Sequence, residues 1–286
     1  MILVTGAGGK TGNAVIKALV ARGESVHAFV HREAHSASMR TLGASRISVG
    51  SLDDVDAIAR AAEGVRAVYH ICPNISPFEL PFGRAVVAGI TRAGLHRFIY
   101  HSVLHPQVEA MPHHWEKMRV EEMLLASDCN VTILQPTAYM QNLLATWQSI
   151  VTNGTCRVPY PASTRISLVD LDDVAAAAAV VATNDDHIGA TYELVGTAAL
   201  SQSEVANIIS GVLGTLVVVE EESADAWSTR ARNAGMGDYQ RDALLRMFRY
   251  YGEHGLVGNS NELKWLLGRE PTPLATFIER ASAGGI

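Results

Sequence analysis

The stretch Thr5-Gly6-Ala7-Gly8-Gly9-Lys10-Thr11-Gly12 carries the most specific chemistry in the sequence: glycines at a spacing of three, with a lysine and a hydroxyl between the last two. Gly6 allows a tight turn, Gly9 lets backbone approach a pyrophosphate, and Gly12 lets a helix pack close on a strand. A helix opening there would point unpaired N–H groups and a positive dipole end at phosphate. The context supports this reading. The turn follows the apolar start Met1–Val4, and Asn13–Arg22 carries Ala14, Val15, Ala18 and Leu19 at helical spacing. A second strand, Ser25–Val30, then arrives at the distance a βαβ unit requires. The plain alternative is a glycine-rich turn that holds nothing.

The end of that second strand reads Val30-His31-Arg32-Glu33. An NAD site places an acid there to hold the ribose 2′-hydroxyl, whereas a basic residue suits a 2′-phosphate. Arg32 can face a 2′-phosphate with His31 assisting, and Glu33, the nearby acid, comes late, so the charge pattern favours NADP(H) over NAD(H). The alternative is that Arg32 is a solvated surface residue. His101, His105, His113 and His114 invite a metal reading, but they straddle a strand and a loop and no carboxylate stands at ligand spacing, so no metal is expected. Asp170, Asp172 and Asp173 precede an apolar helix and read as its N-terminal caps and dipole partners.

The elements that must position these residues alternate. Apolar, β-branched stretches at Ile2–Val4, Val26–Val30, Ile47–Val49, Ala67–Ile71, Arg97–His101 and Val131–Leu134 are separated by helical patterns that include Val55–Ala62, Arg84–Ala93 and Glu116–Ala126. Continuous apolar strands between helices predict an α/β fold, a doubly wound parallel sheet of Rossmann type over residues 1–150. The alternation loosens after about Asn142. Gly154–Pro161 reads as a loop, Val174–Thr183 as an alanine-rich helix, Thr191–Val195 as a strand, and Leu216–Glu220 as another. Ser201 and Glu204 form a capping box opening the helix Glu204–Leu213. Ala224–Tyr251 is helical, with Trp227, Met236, Met247 and Phe248 as either an apolar lid or core. Residues 151–286 are expected to form a smaller α+β subdomain on the substrate side, partly threaded back into the sheet.

The 286 residues are 48% hydrophobic and 18% charged, enough for a sizeable core and too apolar for wholesale disorder. A net charge of −6 and a pI near 6.0 argue against coating nucleic acid or an anionic membrane. No stretch reads as a signal peptide, and the apolar run Val174–Ala182 is too short to span a bilayer. Three cysteines (Cys72, Cys129, Cys156) at no metal spacing fit a reducing cytoplasm.

Several segments resemble the NmrA-like family of atypical short-chain dehydrogenases. These are Thr5-Gly6-x-x-Gly9-x-x-Gly12, Phe98–His105, Pro112–Lys117 with Val120-Glu121-Glu122, Leu134–Asn142 and Leu267–Thr272. The family includes reductases of quinones and dyes, and regulators that sense NADP without known catalysis. The resemblance implies that Gly6, Gly9, Lys10, Thr11 and Gly12 hold the pyrophosphate. It puts His31, followed by Arg32, at the position that reads the 2′-phosphate. It places Cys72 and Pro73 beside the nicotinamide-side ribose, and Ser51 where relatives carry an acid near the adenine. Pro136 and Tyr139, at the exit of the sixth strand, would line the nicotinamide or substrate pocket. Full short-chain dehydrogenases set a tyrosine four residues before a lysine, one helical turn apart on a shared face. Here Lys117 is present and His113 holds the tyrosine position. Ser102 stands where such enzymes place an active-site serine, and either bonds substrate or ties down the loop. Either His113 serves as acid, or hydride passes to a conjugated acceptor that needs only a weak acid or water. The second is the better reading.

The sequence therefore implies a cytoplasmic NADPH-dependent reductase of a small apolar carbonyl, quinone or conjugated aromatic. Its partner is a small-molecule substrate, with no nucleic acid and no membrane, and a homodimer stays open. The competing reading is a non-catalytic NADP(H)-binding redox sensor. A third is an isomerase or dehydratase that uses bound nicotinamide transiently.

Overall fold

The computed structural model describes residues 1–284. The chain opens with β1 (Ile2–Val4), buried along its length, and α1 (Lys10–Ala21). It continues through β2 (Val26–Val30), α2 (Ser36–Thr41), β3 (Arg46–Val49), α3 (Val55–Ala62) and β4 (Ala67–His70). Then come α4 (Glu79–Arg92), β5 (Arg97–His101), α5 (Pro112–Leu125) and β6 (Asn130–Pro136). The sheet order is β6-β5-β4-β1-β2-β3, with the strand Thr191–Leu194 beyond β6. Each pairing from β3 across to β6 is parallel. This is the doubly wound Rossmann order. β1 lies between β2 and β4, where the winding reverses, and ligands bind in the crevice outside the carboxyl ends of the strands at that point.

The sequence folds this way because β2, β4 and β5 present no face to solvent. Every one of their residues is buried, as in a sheet covered by helices on both sides. Leu3, Phe29, Ile58, Val68, Ile90, Phe98, Tyr100 and Val120 share one core cluster. The charged head of Arg97, buried in β5, donates through Nη1 to Asn130 O and Thr132 Oγ1 at 3.0 and 2.8 Å and through Nη2 to Val181 O at 3.0 Å, while its Nε lies 3.7 Å from Asp185 Oδ1. Without such partners a buried guanidinium would be costly.

Two compact units divide the chain, and no single cut separates them. The first holds Met1–Gln107, His113–Gln135 and Val174–Tyr192; the second holds Val108–Pro112, Pro136–Asp173 and the chain from Glu193 onward. In the second unit, the strand Thr155–Val158 pairs in parallel with Val218–Glu221. The helices Gln202–Leu213 and Leu274–Ser282 close a core containing Ile150, Cys156, Ile209, Phe277 and Ile278. Ser201 and Glu204 form both halves of the capping box.

Several local expectations need correction. Gly154–Pro161 is not simply loop: Thr155–Val158 is a strand, and Pro159 and Pro161 stop it. Ala224–Tyr251 is two helices, Ala224–Asn233 and Asp238–His254, broken at Gly235 with φ +84. α4 and α5 start earlier than their apolar periodicity suggests. Pro81 and Pro112 sit in their first turns, where a missing N–H costs nothing. Trp227 is buried and meets Phe248 edge-on at 4.8 Å, so it belongs to core rather than lid. Among the described residues no helix is long and apolar enough to cross a membrane.

Candidate active site

The glycine turn is built on β1 and locked to β4. Gly6 has φ +60, and a Cβ there would stand 2.6 Å from Ile71 O, so only glycine fits. A Cβ on Gly12 would stand 2.5 Å from Gly6 O and 2.7 Å from Ala7 Cα. Asn13 Nδ2 donates to Gly9 O and Ala7 O at 2.6 and 3.2 Å and holds the turn's shape. Thr5 joins the strands: its N–H donates to Tyr69 O, and its Oγ1 accepts from Ile71 N at 3.0 Å and meets His70 Nδ1 at 2.8 Å. α1 starts at Lys10 behind an exposed Gly9, and no side chain caps its first N–H groups. Those N–H groups, with exposed Lys10 and half-buried Thr11, fit the pyrophosphate of a dinucleotide.

At the end of β2, His31 and Arg32 are both exposed. Arg32 Nη2 lies 3.3 Å from His35 Nε2. The His35 ring in turn packs on Gly8, where a Cβ would come within 2.9 Å of it. Arg32 is thus tied to the glycine turn through His35, a residue that sequence reasoning passed over. Its clue is its place three residues after Arg32, where the short turn ahead of α2 brings the chain back. Ser51 is half-buried in the turn before α3, where its carbonyl accepts from Asp54 N at 3.2 Å.

The second cluster gathers at the carboxyl ends of β4 and β5. Lys117 Nζ donates to Glu79 Oε1 at 2.8 Å and to His101 O at 3.0 Å, and stands 5.3 Å from the Tyr100 ring centre. Tyr100 OH donates to the same Glu79 oxygen at 2.8 Å. Glu79 occupies the first turn of α4, where the helix dipole favours a carboxylate. Burial pushes Glu79 up, but the Lys117 ammonium and the hydrogen bonds it receives hold it below the usual carboxylate range. The Cys72 thiol also faces Glu79, and burial beside that carboxylate pushes the thiol well up, so it stays protonated. Pro73, next to it, is exposed. Sequence reasoning found Lys117 and missed Glu79 and Tyr100. The clue to Glu79 is an acid immediately before Leu80-Pro81, a helix start.

His113 lies one turn before Lys117 on α5. Its Nδ1 is buried without a hydrogen-bond partner, and burial together with the Lys117 charge pulls it down to about 4. It is therefore a neutral imidazole at pH 7, with no acidic proton to give. Ser102 is buried, and its hydroxyl donates to Glu121, which also accepts from Gln135 Nε2 at 3.0 Å. Burial raises Glu121. The Ser102 proton is thus committed inside the fold. Of the other candidate histidines, His101 Nδ1 meets Tyr69 OH at 2.7 Å, and His114 Nδ1 faces His105 O at 3.3 Å. Among the described residues, two outside glycine take positive φ, Ile75 at +51° and His105 at +55°, in the loops that follow β4 and β5. Backbone strain of this kind concentrates at functional sites.

The structure brings Gly6, Gly9, Lys10, Thr11, Gly12, His31, Arg32, Ser51, Cys72, Pro73, Ser102, His113 and Lys117 into the first unit. Pro136 and Tyr139 belong to the second, where Tyr139 pairs with Val169 in a short parallel ladder.

The model of the NmrA-like family matches residues 1–280. Quinone oxidoreductase 2 of Escherichia coli (strain K12) is 28% identical over 282 residues, which cover 97% of this chain and 97% of that protein. An NAD(P)H azoreductase of Xenophilus azovorans is 26% identical over 99% of this chain and 97% of its own length. Among solved structures, an NADPH-dependent quinone oxidoreductase from Escherichia coli complexed with NADPH has a TM-score of 0.87 at 26% identity, covering 99% of this chain and all of that one.

Proposed function

Because this chain belongs to the NmrA-like family, we propose that it is an NADPH-dependent reductase of a small, largely apolar acceptor such as a quinone or a conjugated dye. Its similarity to quinone oxidoreductase 2 and to an azoreductase supports that class. One observation carries the reading. The backbone that closes over Gly6, at Ile71, leads directly into Cys72, whose thiol faces Glu79, and Glu79 holds Lys117, which supports a single site joining the phosphate-binding turn to an oriented ammonium.

When bound, the cofactor supplies the hydride. The residues of the chain supply placement. The N-terminus of α1, with Lys10 and Thr11, would hold the pyrophosphate, and Arg32 would meet the 2′-phosphate. Lys117 keeps one N–H beyond those given to Glu79 and His101 O, and this would be the donor for a ribose hydroxyl. Neither His113, which burial keeps neutral, nor Ser102, whose proton is held by Glu121, would offer the acceptor a strong acid. Such a site suits acceptors that are activated by conjugation and that take their proton from water, and it suits simple ketones poorly.

The test is NADPH consumption across a panel of quinones and azo dyes. Lys117→Ala is expected to lower kcat on the order of 10²-fold, the usual loss when one oriented donor is removed. NADPH binding with no consumption across the panel would favour the sensor reading instead.

A further inference from the structure

Lys117 is not a free cation. Its ammonium meets a carboxylate, a carbonyl and a ring face at once. The pair is sheltered unevenly: the Glu79 side chain is 3% exposed and that of Lys117 16%, so only the lysine reaches toward solvent. Glu79 sits behind it, backed by Tyr100 OH and by the positive end of α4. Buried charges attract more strongly than exposed ones, and the pair as a whole carries no net charge.

We propose that Glu79 is a positioning residue that neutralises Lys117, so that the site offers bound nicotinamide an oriented N–H and not a net positive charge. The proposal rests on the NADPH reading above. Its consequence follows from elementary chemistry. A nicotinamide ring is neutral when reduced and cationic when oxidised. An uncompensated ammonium nearby would disfavour the oxidised form and hold back hydride donation, whereas a neutral Lys117–Glu79 pair leaves the two forms on an even footing.

The measurement is the ratio of NADP+ to NADPH dissociation constants, with NADPH followed by nicotinamide fluorescence and NADP+ by competition. Glu79→Gln keeps the shape and an accepting oxygen but removes the charge. It is expected to weaken NADP+ relative to NADPH by roughly tenfold. A purely structural role would weaken both forms alike. The double variant Glu79→Gln/Lys117→Met removes both charges and leaves neither orphaned, and its ratio is expected to return to within about twofold of wild type. It also keeps the idea testable should Glu79→Gln fold poorly. A wild type that binds both forms, with a ratio unmoved in Glu79→Gln, overturns this inference alone. A double variant whose ratio stays displaced also overturns it. A wild type that binds neither form overturns both this and the functional reading.

Discussion

Gly12→Ala is expected to abolish nucleotide binding and to destabilise the protein by about 3 kcal/mol. The added methyl would have to occupy space already held by main chain, at 2.5 Å from Gly6 O, 2.7 Å from Ala7 Cα and 2.8 Å from Ala7 O. No side chain can rotate away to make room, so α1 must lift off the turn. That same movement withdraws the N–H groups that would hold phosphate. Gly211→Ala is the matched control. It lies exposed within the helix Gln202–Leu213, with no atom near its missing Cβ. There the same substitution is expected to stabilise by about 0.5–1 kcal/mol, through helix propensity alone. Denaturant melts of both variants check the sign. Equal effects at the two positions would mean that the Gly12 contact is not what holds α1 to β1.

Arg280→Ala is expected to cost about 3 kcal/mol, which corresponds to a fall in Tm of roughly 6–12 °C. Arg280 Nη2 meets Asp170 Oδ2 at 2.6 Å, and Asp170 is fully buried. Asp170 also accepts from Gln141 Nε2 at 2.7 Å and from Asp172 N at 3.1 Å, so it caps the helix Leu171–Thr183 while it anchors the C-terminal helix Leu274–Ser282. Asp173 makes a parallel contact with Arg269 Nη2 and Thr272 N, each at 2.6 Å. Removing Arg280 leaves a buried carboxylate without its cation. If that orphaned charge is the source of the loss, Asp170→Asn in the Arg280→Ala background should regain part of the stability. No recovery in the double variant would assign the loss to packing of the arginine stem instead.

These two contacts also mark where the sequence can and cannot be read. The strands were legible because they are short, largely apolar runs, and the glycine turn because its spacing lies within seven residues; the steric demand on Gly6, by contrast, comes from Ile71, far along the chain. The capping box at Ser201 and Glu204 was equally local. Asp170 was legible only as a cap. Its partner lies 110 residues away, and nothing in a helix start announces a distant arginine. Glu79 is the same case, 38 residues from Lys117. Lys117 stood out by its resemblance to a known motif, whereas Glu79 resembles any acid in a first helical turn. His113 shows a different limit. Its place one turn before Lys117 was readable, but its charge state is set by burial, and burial is a property of the assembled fold. The strand Thr155–Val158 was hidden by the prolines that end it, and its pairing partner lies more than sixty residues later.

The central claim is that the glycine turn and Arg32 hold a phosphorylated nicotinamide dinucleotide. The most direct test is titration of the purified protein with NADPH and with NADH, followed by nicotinamide fluorescence, in wild type and in Arg32→Ala. The expected result is tight NADPH binding and weaker NADH binding in wild type. Arg32→Ala should cost NADPH affinity on the order of tenfold and leave NADH unchanged, because only NADPH carries the charge that Arg32 meets. Binding of neither nucleotide by wild type would contradict the claim, since it would mean that the turn at Gly6–Gly12 serves the fold alone.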